Sequence, residues 1–264
     1  MSDAPSVPTD AAPLPSGHGI PLLGFGTWRL SDDDAVRATT DALAAGYRHL
    51  DTATMYGNET QVGAALRDSG VARDDVFVTS KLPPDRASQV RETIGQSLSQ
   101  LGVDQLDLWL VHWPPDGGAG VPVWEEFLAA QSDGLVRDVG VSNYSIEQLD
   151  ELTNATGVTP AVNQVKWSPL LFDQRVVDGH RDRGVVLEGY SGLKGGTLEH
   201  PVITGIADRT GRTPAQVIVR WHLQHGTVVI PKSQSPERIR SNADVASFEL
   251  GDDDMAALDG LGGS

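Results

Sequence analysis

The chain has 264 residues, enough for one α/β barrel or two small domains, and its 39% hydrophobic content with 29 Gly and 16 Pro belongs to a folded globular chain rather than a disordered or fibrous one. Twenty basic against 36 acidic residues leave a net charge of −16, which repels nucleic acid and anionic membrane surfaces, so any anionic ligand needs a local basic cluster. The lack of cysteine excludes a disulfide framework and a thiolate metal or redox site, and no run approaches the roughly 18 to 20 apolar residues of a membrane span.

Residues 1–12 are Pro, Ala, Ser and Asp without periodicity and are expected as a flexible tail, leaving 13–264 as a single domain. With neither a basic region nor an apolar segment of signal-peptide type at its start, the chain is expected to be cytoplasmic. The stretch LPSGHGIP predicts a short hairpin with Gly17 and Gly19 at its turn. Eight short strand-like runs follow, at 22–28, 47–51, 76–81, 106–113, 137–143, 161–167, 185–191 and 227–233. Amphipathic helical stretches lie between them. Ser31 and an acidic first turn open one that Gly46 closes, and Thr213 followed by Pro214 opens another. This alternation predicts a parallel sheet covered by helices, and eight strands suggest a closed β/α barrel; periodicity alone leaves a doubly wound open sheet as the competitor.

The ends of the runs carry more information than their interiors. They are Trp28, Asp51, Lys81, His112, Ser142 with Asn143, Gln164, Tyr190 and Lys232. In a β/α barrel these ends converge on one face, which is where such folds place their active sites. Singly, each residue has an ordinary reading: Asp51 a cap, Tyr56 a packing residue, Lys81 a surface-seeking chain, His112 a core histidine. Together, at the ends of the second, third and fourth strands, Asp51, Tyr56, Lys81 and His112 suit the protonation of an oxygen on which negative charge develops. Lys81 is expected to lower the Tyr56 pKa, Asp51 to hold Lys81 charged, and His112 to hydrogen-bond a substrate oxygen.

The final strand suggests a nucleotide. Lys232 and Ser233 lead into a helix opened by Ser235 and Pro236 that carries Arg238, a combination of cations and a helix N-terminus suited to phosphate, whereas Arg240 reads as an ordinary surface residue. The Gly-rich YSGLKGG is suited to approaching a pyrophosphate. Gln164, Ser142 and Asn143 could match a carboxamide, and Tyr190 offers a ring for stacking. No metal site is expected: there is no HxH or HExxH pair, and His222 and His225 lack an evident carboxylate partner. The P-loop and GxGxxG nucleotide patterns are missing as well.

The segments GFGTW, RHLDTATMYGNE, VTSKL, DLWLVHWP, GLVRDVGVSNY, VNQV, GYS, TPAQVIVRW and VIPKSQSPERIRSN follow the order and spacing of the aldo-keto reductases, and from about residue 20 to 260 the chain resembles that family. The resemblance implies an eight-stranded parallel β/α (TIM) barrel that binds NADPH across its C-terminal face and reduces aldehydes or ketones by hydride transfer. It makes Tyr56 the general acid, Lys81 and Asp51 its tuning pair and His112 the carbonyl-orienting group. It assigns Ser142, Asn143 and Gln164 to the nicotinamide carboxamide, Tyr190 to the ring and Ser191 to the pyrophosphate. Lys232, Ser233 and Arg238 fall to the adenosine 2′-phosphate, Asn242 to adenine, and Trp28, Met55 and Trp113 to the substrate pocket. The expected partner is a small carbonyl compound, with no nucleic acid or membrane, and the expected state is a monomer. The chain departs from the family at Gly192 and Lys194, where many members have a proline after the serine, and at Lys166-Trp167-Ser168-Pro169. Its C-terminus is short, which implies an open pocket. An NADPH-binding regulatory or sensor subunit of the same fold is the alternative, and a Schiff-base enzyme using Lys81 a weaker one.

Overall fold

The computed structural model describes residues 5–115 and 118–263. Its main sheet runs in sequence order through β3 (Phe25–Gly26), β4 (His49–Asp51), β5 (Phe77–Leu82), β6 (Leu106–Val111), β7 (Val136–Ser142), β8 (Val162–Lys166), β9 (Val186–Tyr190) and β10 (Val228–Val229), all parallel. The two edges of this sheet meet. Leu23 bridges Val229, the Gly24 amide donates to the Val229 carbonyl at 2.9 Å, and the Val229 amide donates to Leu22 at 2.8 Å. The fold is therefore the expected eight-stranded β/α barrel and not an open sheet. The first and last strands are shorter than their apolar runs. Pro231 accepts from Gly26 but has no N–H to return, so the ladder fails beyond Ile230.

Register fixes what faces inward. Gly26 pairs with Asp51, Ser142 with Gln164, Gln164 with Glu188, and Glu188 with Val228. Partners in a parallel ladder share a face and neighbours along a strand alternate, so Asp51, Ser142, Gln164 and Glu188 point into the barrel, with Tyr190 one step above Glu188. Leu187 points outward into a second core that includes Trp167, Phe172 and Trp221.

Ten helices among the described residues cover the barrel: α1 (Asp32–Ala44), α2 (Glu59–Asp68), α3 (Val90–Leu101), α4 (Val121–Ser132), α5 (Ile146–Thr156), α6 (Gln174–Arg181), α7 (Pro201–Thr210), α8 (Pro214–Gln224), α9 (Pro236–Ala243) and α10 (Asp252–Asp259). The caps explain several boundaries. Thr213 and Gln216 form a reciprocal capping box on α8, and the Ser235 hydroxyl accepts from the Arg238 amide on α9. Ser31 stands at the N-cap of α1, but its hydroxyl makes no capping bond.

The hairpin forms from β1 (Ala11–Pro13) and β2 (Gly19–Pro21), antiparallel, with Gly17 at φ +86° in the turn and Gly19 already in the strand rather than the turn. Its turn is tied to the barrel by the Ser16 amide and hydroxyl, both donating to the Asp138 carboxyl of β7. The stretch before it differs from the loose tail expected over 1–12. The Ser6 amide donates to Asp244 at 2.9 Å, the Val245 and Ala246 amides donate back to the Ser6 carbonyl, and Val7 packs against the main core. These partners lie far along the chain, so local composition carries no trace of them. Residues 1–4 lie outside the described residues.

A close helix contact tests the packing. A Cβ built on Gly63 of α2 would lie 2.3 Å from the Leu101 carbonyl oxygen at the end of α3. Backbone cannot yield as a side chain would, so Gly63→Ala should destabilise the protein by about 1–3 kcal/mol in urea unfolding. Unchanged stability would show that α2 and α3 do not approach this closely.

Candidate active site

Lys81, near the end of β5, is fully buried and meets its partners inside the barrel mouth. Its ammonium donates to Asp51 Oδ1 at 2.6 Å, to Asp51 Oδ2 at 2.8 Å and to the Thr52 carbonyl at 2.8 Å, with the Tyr56 hydroxyl at 3.4 Å. Burial alone would drive off the Lys81 proton, but the Asp51 carboxylate, through its charge and its hydrogen bonds, outweighs it and holds the ammonium above its ordinary range. Lys81 is thus a fixed cation, which removes the amine nucleophile that a Schiff-base mechanism requires. Asp51 is held from its other side by the Gln164 amide at 2.8 Å.

Tyr56 sits in the short 3-10 turn Thr54–Tyr56 that follows β4, ended by Gly57 at φ +68°, a left-handed position that favours glycine. Asn58 secures this turn. Its side chain accepts from the Thr52 hydroxyl and donates to the carbonyls of Thr27 and Leu30, tying the Tyr56 turn to the loop that carries Trp28. The phenol corrects one expectation. Burial pushes Tyr56 up, the Lys81 ammonium pulls it down, and the net direction is upward rather than the expected lowering. The sequence names the ammonium but not the depth at which the phenol lies. Tyr56 therefore rests as a protonated phenol.

His112 follows β6 with its ring centroid 5.7 Å from that of Tyr56. Burial and then the Lys81 charge push its pKa down to about 3, so it is neutral. Its Nδ1 is buried without a hydrogen-bond partner among the described residues. A proton on Nε2 leaves only a lone pair stranded there and turns an N–H donor toward the cavity.

The cavity above these groups holds about 750 Å³. Every residue assigned to the site from sequence lines it except Lys81, which lies beneath. Trp28, Met55 and Trp113 stand at its mouth with 40%, 50% and 47% of their surface exposed, and the Trp28 ring lies 4.8 Å from that of Tyr56. No described residue after Asn242 contributes to its wall. Ser142, Asn143 and Tyr190 are occupied with one another: Asn143 donates to Ser142 Oγ at 2.9 Å and to the His112 carbonyl at 3.0 Å, and accepts from the Tyr190 hydroxyl at 2.8 Å. Gln164 spends its amide nitrogen on Asp51, leaving its oxygen as the free end.

At the opposite end of the cavity lie Lys232, Ser233, Arg238 and Asn242, with Ser191 at φ +58° opening the loop that leads to Lys194. Burial lowers the Lys232 pKa, and the charges of Lys194, Arg238 and Arg29 lower it further, against a weaker upward pull from Asp34. None of these four cations has an ion-pair partner among the described residues. Sequence reading missed Arg29, and it read Lys194 only as a departure; both follow strand ends, which was the available signal. Gly192 leaves just enough room for its neighbours, since a Cβ there would meet His222 Cε1 at 3.1 Å and the Trp167 carbonyl at 3.3 Å. Glu188 was missed altogether, although a lone acid two residues before Tyr190 in an apolar strand marks the inward face. His225, expected to lack a carboxylate, bonds Asp259 at 2.8 Å.

A β/α barrel whose C-terminal mouth brings together a phenol, a neutral imidazole and a buried ion pair, with a cationic end to the same cavity, defines a barrel oxidoreductase. The chain belongs to the aldo/keto reductase family, whose model matches residues 22–262. It is 45% identical over 252 residues to an aldo-keto reductase of Mycolicibacterium smegmatis, covering 94% of this chain and 92% of that protein. It is 44% identical over 248 residues to an aldo-keto reductase of Mycobacterium tuberculosis, with 92% and 88% covered. The crystal structure of an aldo/keto reductase from Brucella melitensis superposes with a TM-score of 0.91 at 39% identity, over 97% of this chain and all 100% of that one. The aldose reductase of Schistosoma japonicum gives a TM-score of 0.91 at 31% identity, over 96% and 92%. Carbonyl reduction is the general activity of this family.

The buried imidazoles give a pH prediction. Burial pushes the pKa of His49 and His222 down to about 4 and that of His112 to about 3. The unfolded chain takes up these protons near pH 6.5, so it binds more protons than the folded chain below that point. The stability each neutral ring contributes is present above pH 6.5 and is lost on acidification at about 1.4 kcal/mol per unit until the folded pKa is reached. His222→Gln, which lies outside the cavity, should flatten the fall in unfolding free energy between roughly pH 6 and 4.5. An unchanged slope would mean that His222 is charged in the folded protein.

Proposed function

We propose that this protein reduces aldehydes or ketones to alcohols with NADPH, Tyr56 supplying the proton. The observation that carries this reading is the shared cavity. A protonated phenol and a neutral imidazole line it together with three cations without carboxylate partners, Lys194, Lys232 and Arg238, in a chain whose net charge is −16. Aldo-keto reductases generally use nicotinamide cofactors, and the residues present fit one. Unpaired cations around a partly buried Lys232 match phosphate, the capped N-terminus of α9 supports the same charge, and Tyr56 and Arg238 line one and the same cavity.

Lys232, Ser233 and Arg238 would hold the 2′-phosphate, Asn242 the adenine, and Ser191 with the Gly-rich loop the pyrophosphate. Tyr190, its hydroxyl pinned by Asn143, would present its ring to the nicotinamide, and Gln164 would accept from the carboxamide through its free oxygen. Asn143 is already saturated at its nitrogen, so Ser142 and Asn143 support this reading mainly by positioning Tyr190 and the His112 loop. When bound, the reduced nicotinamide supplies a hydride to the carbonyl carbon and is itself oxidised. The electron pair of the carbonyl moves to its oxygen, which takes the Tyr56 proton and leaves a phenolate beside Lys81. His112 donates to that oxygen and sets the face that is presented. The mouth of Trp28, Met55 and Trp113 favours substrates with a flat or apolar group next to the carbonyl.

Tyr56→Phe should abolish most NADPH-dependent turnover of an aldehyde panel while NADPH binding, read by fluorescence quenching, stays within about threefold, because the phenol is placed on the substrate side. Turnover at the parental rate would remove Tyr56 from its role. Arg238→Ala should weaken NADPH binding by about one to two orders of magnitude and leave NADH nearly unchanged, as befits the loss of a charged hydrogen bond. Equal losses for both cofactors would overturn the 2′-phosphate assignment.

A further inference from the structure

Beneath the site lies a carboxyl that the proposed chemistry does not use. Glu188 stands in the middle of β9, fully buried, with no well-formed hydrogen bond to either carboxyl oxygen among the described residues, although the Gln164 side chain lies near enough to favour its ionised form. Its outward neighbours Leu187 and Gly189 face the second core and His222 of α8, and its ladder partners are Gln164 and Val228. Glu188 therefore points into the barrel at the level of Gln164, and the Gln164 amide donates to Asp51 at 2.8 Å. One side chain separates Glu188 from the ion pair that faces Tyr56. The charged and titratable groups that act on or respond to it are Asp51 from β4, Lys81 from β5 and Tyr56 from the turn after β4, while β8 contributes the neutral Gln164 and β10 the apolar Val228.

We propose that Glu188 is a positioning residue that acts through Asp51 and Lys81 to keep the Tyr56 phenol protonated, and so biases this site toward carbonyl reduction over alcohol oxidation as the solution becomes alkaline. The inference rests on the function proposed above. Carbonyl reduction consumes the phenol, whereas the reverse reaction needs the phenolate to accept the alcohol proton. Burial, then the nearby Asp51 charge, push the Glu188 pKa up to about 8 against the opposing pull of Lys81 and the Gln164 side chain, so it is a neutral acid at neutral pH. Above that point it ionises, and the new negative charge raises Tyr56 and Lys81 together. The phenolate is suppressed just where hydroxide would otherwise produce it. A buried acid without a well-formed hydrogen bond costs stability, and strongly perturbed groups of this kind cluster at functional sites.

Glu188→Gln keeps the volume and removes the charge. The alkaline fall of kcat/KM for carbonyl reduction should move to lower pH, and the ratio of alcohol oxidation to reduction near pH 9 should rise by roughly three- to tenfold, the factor that a half to one pKa unit represents. Ultraviolet difference titration of the phenolate in cofactor-free protein, with Tyr56→Phe subtracted, should show Tyr56 ionising at lower pH in Glu188→Gln than in the parent. This readout does not depend on turnover, so it separates failure of the proposal from failure of the reductase reading. Superimposable rate profiles and phenolate titrations, with the variant folded by circular dichroism, would make Glu188 a structural residue only and overturn the proposal. If Glu188→Gln fails to fold, Glu188→Met is measured by the same titration, and an unmoved Tyr56 again overturns it.

Discussion

The site depends on how a fully buried ammonium is satisfied. Lys81 has three protons and spends them on two Asp51 oxygens and the Thr52 carbonyl at 2.6–2.8 Å, so the Tyr56 hydroxyl at 3.4 Å receives only a shared contact. A buried pair of this kind contributes little net stability against apolar residues of equal volume, but losing either partner strands a charge in the barrel. Each partner is accordingly braced. Gln164 holds Asp51, and Asn58 holds Thr52 together with the loop bearing Trp28. The geometry of the ion pair thereby sets where the phenol, the exposed tryptophan and the amide of β8 stand relative to one another.

Charge is distributed across the molecule to the same end. Most described arginines are paired with surface carboxylates, as in Arg91 with Asp133 and Arg183 with Asp150. Lys194, Lys232 and Arg238 are left unpaired in the cavity wall, where burial and then the charges of Lys194, Arg238 and the nearby Arg29 lower the Lys232 pKa. Such an arrangement is unfavourable by itself and becomes favourable when an anion enters. The acidic remainder of the chain repels polyanions at long range while this concave cluster retains affinity for a small one. Salt screens the first effect more than the second, because the surface charges are exposed and Lys232 is partly enclosed.

Much of this was legible in the sequence because a barrel converts strand ends into neighbours. Asp51, Lys81, His112, Gln164 and Tyr190 come together from five strands without any local signal that they should, and the topology alone explains it. What remained hidden depends on depth and on distant partners. The net direction of the Tyr56 pKa is decided by burial, which no strand pattern quantifies. Docking of Ser6 depends on Asp244, at the far end of the chain. Asn143, Ser142 and Tyr190 read as three independent ligand groups and prove to be one hydrogen-bonded unit, since the β7–β9 spacing that joins them belongs to the closed sheet. Glu188 was passed over because the run around it is otherwise apolar. Only the inward register of β9 turns it from an irregularity into a neighbour of the ion pair.

The raised phenol changes how the Lys81 contact is to be understood. A donor need not be acidic at rest when its acceptor is an alkoxide, which is far more basic than a phenolate. What limits transfer is the charge left behind. An ammonium already fixed beside the hydroxyl, with its other protons committed and its counter-ion in place, requires no reorganisation as phenolate character grows. Burial that raises the resting pKa also strengthens that interaction once charge appears, because the same low-dielectric surroundings act on both. In the proposed reaction the phenol would be stable against ionisation before hydride transfer and stabilised as an anion after it, a combination that a simple lowering of its pKa would not provide.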